Sequence, residues 1–141
     1  MDKPIDIKDA LRVIRIMGHD VDIRYDANYA KDQGGQGGFA SENLWIALDT
    51  SYPPSQLNET LLHELFEAIN YFGELKLKHS VITRLGNGLH QILADNPSVI
   101  QYLLENWRRH DEAQKAPQQQ STPVNKARKA RTGSKANRKK A

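Results

Sequence analysis

The chain has 141 residues, enough for one domain with a hydrophobic core and short for two. Its net charge of +3 conceals two opposite regions: residues 1–113 hold 11 of the 20 Lys and Arg and all 17 Asp and Glu, a balance of −6, whereas residues 114–141 hold the other 9 cations. The absence of cysteine excludes disulfides, thiolate metal sites and cysteine nucleophiles, so any metal must be held by His and carboxylates.

The opening MDKPIDIKDA has no apolar core of a signal peptide, and no apolar run is long enough to span a bilayer, so the cytoplasm is the expected compartment and no membrane partner is expected. Residues 11–25, LRVIRIMGHDVDIRY, place two β-rich runs around MGHD. In the second run Val21, Ile23 and Tyr25 alternate with Asp22 and Arg24, the pattern of a hairpin with one buried face. DANYAKDQGGQGGFASEN follows, and its glycines predict a flexible loop. Residues 44–49, LWIALD, predict a third strand with Leu44, Ile46 and Leu48 on one face and Trp45 and Ala47 on the other.

Pro53 and Pro54 end that strand, and Ser55 is placed to cap a helix running to Phe72, where Gly73 stops it. Its apolar stripe is Leu61, Leu62, Leu65, Phe66, Ile69 and Phe72; His63, Glu64, Glu67, Asn70 and Tyr71 gather on the other side. A second helix is expected from His79 or Ser80 to Asp95, and a third from Pro97, capped by Asn96 and carrying Val99, Ile100, Leu103, Leu104 and Trp107. Beyond Ala113 the chain has one aliphatic residue larger than alanine, Val124, and no aromatics, so residues 114–141 are expected to be a disordered basic tail. The expected fold is α+β over residues 1–113: an antiparallel sheet of about three strands covered by three helices.

The chemistry concentrates in TLLHELFEAIN, residues 60–70. His63 and Glu67 are four residues apart, roughly 40° around a helix axis, so both can reach one ion. Carboxylates bind zinc at about 2.0–2.2 Å, and catalytic zinc sites with two His and one Glu exist. Glu64, about 100° further round, suits a general base that takes a proton from water at the metal. Spacing leaves three candidates for a third ligand: His79 across the Gly73 turn, Glu74 if the helix continues through Gly73, and His90 deeper along the second helix. The competing view is that these side chains form only the wet face of an amphipathic helix. His19 and His110 have no evident partner, and Trp45 and Trp107 read as packing residues.

The order IALD (46–49), TLLHELFEAIN (60–70), LKLKHSVI (75–82) and LHQILADN (89–96) resembles small phage and prophage proteins of zincin-like type, related in plan to the ImmA/IrrE metallopeptidases, with HExxE in place of HExxH. The resemblance implies His63, Glu67 and His79 as zinc ligands, Glu64 as catalytic base, and residues 44–48 as the edge strand along which an extended peptide pairs. It also implies a peptide or protein substrate, such as a repressor, in the host cytoplasm. Glu67, as an anionic ligand, would lower the charge on the ion and make its water a weaker acid.

Two other readings come from other parts of the chain. Gly34-Gly35-Gln36 resembles the catalytic tip of peptide release factors and so a peptidyl-tRNA hydrolase, although Gly37, Gly38 and Phe39 depart from the residues that follow it there. The cations of residues 114–141 could neutralise phosphates and bind nucleic acid without sequence preference; the tail has no aromatics for stacking on bases.

Overall fold

The computed structural model describes residues 11–115, so the opening decapeptide and nearly all of the basic tail lie outside the described residues. The chain divides into one unit ending at Glu105, which holds the sheet and the candidate site, and a second beginning at Asn106, whose described part is the exposed last stretch of a helix. No helix among the described residues is long and apolar enough to cross a membrane.

The hairpin forms as expected. Strands β1 (Val13–Ile16) and β2 (His19–Asp26) pair antiparallel, Ile16 opposite His19. Met17 and Gly18 between them both have positive φ, 49° and 91°, the conformation a two-residue turn needs to match strand twist. Ile16, Val21 and Ile23 point into the core, and the intervening Asp20, Asp22 and Arg24 stay exposed.

The glycine-rich segment is structured. It forms a short helix α1 (Tyr29–Gln33) and a strand β3 (Gly37–Ala40), which turns back to pair antiparallel with β4 (Trp45–Asp49). Residues 27–44 thus form a crossover long enough for β4 to run parallel to β2, giving a mixed sheet of four strands in the order β1-β2-β4-β3. This corrects the all-antiparallel expectation, and it moves the edge: β4 lies between β2 and β3, and β3 is the edge strand on that side.

Two close approaches explain the glycines. A Cβ at Gly37 would lie 2.5 Å from Thr60 Cγ2 and 2.7 Å from the Ala47 carbonyl oxygen, and one at Gly38 would overlap the Tyr29 hydroxyl. β3 can lie against Thr60 and Tyr29 only without those side chains. β4 is covered on both faces, so Ala47 is buried along with Ile46 and Leu48. Leu44, with a φ of 52°, precedes the strand and is not on its core face.

Buried Asp49 ends β4. Its carboxylate accepts from the Ala30 N–H at 2.7 Å, near the start of α1, and from the Ser51 N–H and hydroxyl at 2.8 and 2.5 Å. The Ser51 hydroxyl and then the Ala30 N–H hold its pKa below the usual carboxylate range.

Helix α2 (Pro54–Phe72) crosses the core face of the sheet and packs against β1, β3 and β4 on one side and α3 (His79–Asp95) on the other. It starts one residue before the predicted cap, with Pro54 at its first position and no side-chain cap. Leu57 and Ala68 are buried with Ile16, Val21, Ile23, Ile46 and Leu48, and Leu61, Leu65, Ile69 and Phe72 of α2 pack against this core beside Leu11, Ile14, Tyr25 and Phe39. α4 (Pro97–Lys115) begins where expected but has no buried residue; its stripe of Ile100, Leu103 and Leu104 is exposed, as is Trp107.

Candidate metal centre

His63 and Glu67 stand one turn apart on α2, and His79 is the first residue of α3. The link between the helices folds back sharply, with Glu74 and Lys76 both at positive φ, 50° and 57°. Asn70 holds this reversal. Its side-chain oxygen accepts from the Leu77 N–H at 2.8 Å, and its amide nitrogen reaches the Leu77 carbonyl at 3.5 Å, two residues before His79. Close helix packing sets the other coordinate: a Cβ at Gly86 would lie 3.3 Å from His63 Cα.

His79 Nδ1 therefore lies 2.7 Å from Glu67 Oε1, and His63 Nε2 lies 3.6 Å from the same oxygen. The two imidazole rings meet edge to face, with centroids 4.8 Å apart. One ligand atom from each of the three residues lies within 4.8 Å of the others, so His63, Glu67 and His79 form a group that could hold a metal ion. The donor set suits a borderline-soft divalent ion: two imidazole nitrogens and one carboxylate oxygen. A tetrahedral ion with bonds near 2.1 Å has ligand atoms roughly 3.4 Å apart, close to the His63–Glu67 separation. Burial, and then His79, lower the pKa of His63, against the opposing pull of Glu67 and Glu59, which favours the neutral imidazole that a metal needs.

Glu64 differs from its expected placement on a wet face. It is 7% exposed, and the Phe39 backbone amide of β3 is near enough to favour its carboxylate form. Burial above all, then the charge of Glu67, pushes its pKa up to about 7, against the Phe39 amide and His79. Tyr29, packed on Gly38, feels the Glu64 charge, and burial followed by that charge raises its own pKa.

The other candidate ligands fall elsewhere. α2 stops at Phe72, so exposed Glu74 leaves the face of His63 and Glu67. His90 lines an apolar cleft of 340 Å³ with Leu61, Leu62, Leu93 and Ile100. His19 stacks on Phe72 at 4.2 Å, and Arg24 lies over the Trp45 ring at 4.9 Å.

A polar cleft of 300 Å³ opens beside His63 and His79. Residues 35–37 form one wall; Glu59, Thr60, His63 and Glu64 come from α2, and His79, Thr83 and Asn87 from α3. Gln36 is stitched into this wall: its carbonyl accepts from the Asp49 N–H at 2.9 Å, and the Thr60 hydroxyl reaches its side-chain oxygen at 3.4 Å. Neither Gln36, Asn70 nor Glu59 was assigned to the site by periodicity. Asn70 left a trace as a polar residue one turn past Glu67 on the same side of the helix, and Gln36 only as the end of the Gly34-Gly35-Gln36 run. Comparison with known protein families, with curated proteins and with solved structures returns no match.

Proposed function

We propose that the protein is a zinc-dependent, metallopeptidase-like protein of the phage and prophage zincin-like type that its HELFE helix resembles. The observation that carries this reading is the convergence of His63, Glu67 and His79 within 4.8 Å beside a polar cleft, with buried Glu64 on the adjoining helix face. When bound, zinc would supply Lewis acidity to a peptide carbonyl and to water, reduced by the anionic Glu67.

The chain's own residues supply the rest. Glu64 takes a proton from the attacking water and returns it to the leaving nitrogen, and burial keeps its basicity high enough for both steps. β3, the edge strand of the sheet on this side, offers to an extended peptide the outward main-chain groups that Glu64 does not engage.

The test is elemental analysis of protein purified without a histidine tag. Near-stoichiometric zinc is expected in the wild type and its loss in His63→Ala, Glu67→Ala and His79→Ala. A wild type that stays metal-free after zinc is added overturns the reading.

A further inference from the structure

The cleft beside the metal group carries a signal about what it accepts. Besides buried Glu64, the proposed base, its polar rim includes a second carboxylate that is not in the metal group: half-buried Glu59, one turn before His63 on α2. In the amide orientation that satisfies both groups, Asn87 on α3 donates to Glu59 Oε1 at 2.9 Å and to the Thr83 carbonyl at 3.1 Å. A carboxylate has about four lone-pair sites, so this bond fixes Glu59 and leaves it able to accept from a ligand. Among the described residues no Lys or Arg lines the cleft to neutralise it, and the other lining side chains near it, Gln36, Thr60 and Thr83, are uncharged hydrogen-bonding groups. Glu59 also acts electrostatically on His63, which ties it to the metal end of the cleft.

We infer that Glu59 is a specificity-determining residue that selects a lysine or arginine side chain of the bound peptide. The inference rests on the reading of this cleft as a peptide site, and it adds the class of side chain accepted. A held carboxylate in a half-enclosed polar cleft pairs with an ammonium or guanidinium through charge-assisted hydrogen bonds, whereas a glutamate side chain there meets like charge.

The experiment uses fluorescein-labelled, alanine-based hexapeptides that differ only at one central residue, Lys, Met or Glu. Binding to the full chain is followed by fluorescence polarisation with and without one equivalent of zinc, and chromatography of the same mixtures reports cleavage. The lysine peptide is expected to bind about tenfold more tightly than the methionine peptide, with the glutamate peptide weakest. Glu59→Gln should abolish that order, Glu59→Lys should invert it, and Glu42→Gln, which removes an exposed carboxylate elsewhere, should preserve it. Equal binding of the three peptides by the wild type overturns the inference, as does a lysine preference that survives Glu59→Gln or no lysine-peptide binding at millimolar concentration. Absence of zinc uptake or of cleavage, with the lysine preference intact and dependent on Glu59, overturns the peptidase reading alone and supports the role of Glu59.

Discussion

Asn70 grips the backbone of Leu77 with both ends of its carboxamide, and this clamp closes the turn that delivers His79 to Glu67. Neither atom of the clamp touches the ligand group, yet the reversal it closes contains two non-glycine residues at positive φ, Glu74 and Lys76. Such residues persist only where the surroundings hold them. Asn70→Ala should leave the sheet and α2 intact and lower zinc affinity by about 10- to 100-fold, the usual cost of losing a group that orients a ligand. Competition titration against a zinc-chelating dye reads the affinity. Asn70→Asp, which keeps the acceptor for the Leu77 N–H, should recover part of it.

Glu64 gives a pH dependence whose sign is opposite to that of most carboxylates. Its pKa rises from 4.5 to about 7 on folding, so the native state holds a proton that the unfolded chain has already lost between those values. Metal-free protein should therefore lose stability as pH rises through this window, with no penalty below pH 4.5. At about 1.4 kcal/mol per pKa unit, the full penalty above pH 7 is about 3 kcal/mol. Glu64→Gln should remove it, stabilising the metal-free protein at pH 8 and changing little at pH 4, as measured by urea unfolding. Zinc should shrink the difference, because a nearby cation favours the carboxylate.

Asp49 behaves in the conventional sense. Its hydrogen bonds from Ser51 and Ala30 hold the carboxylate pKa below 3.8, so their stabilisation is complete above that value and lost as pH falls through the lower native pKa. Asp49→Asn should weaken the protein at neutral pH and flatten the acid limb of its stability profile. Circular dichroism along an acid titration of both proteins checks this, and α1, pinned through Ala30, should be the segment whose amide exchange accelerates most.

The elements that could be read in the chain are those whose residues announce their packing. Val21, Ile23 and Tyr25 alternate because β2 has one buried face, and the leucines of α2 recur because that helix lies on a core. β3 left no such pattern: Gly37 and Gly38 are there for what they lack, and room for a neighbour looks the same in sequence as flexibility. Without β3, the parallel pairing of β2 with β4 and the true sheet edge were also hidden. At the site, the spacing of His63 and Glu67 was enough to pair them, and His79 was reachable because a helix start follows a short link. The environment of Glu64 was not legible, because a helical wheel gives its angle and not that the sheet closes over it.

The glycines of α3 separate spacing from freedom. Gly88 sits inside the helix with open space where a Cβ would go, so Gly88→Ala should stabilise the protein by about 0.5–1 kcal/mol through helix propensity. Gly86, two residues earlier, faces the backbone of His63, and its Cβ would lie 3.3 Å from His63 Cα and 3.4 Å from its nitrogen. Gly86→Ala gains the same propensity but must push α3 away from α2 by a few tenths of an ångström, and that displacement separates His79 from the other two ligands. Thermal unfolding should therefore rank Gly88→Ala above the wild type and Gly86→Ala at or below it, while zinc affinity falls only for Gly86→Ala. Equal zinc affinity in the two variants would mean that the helix spacing does not set the ligand geometry.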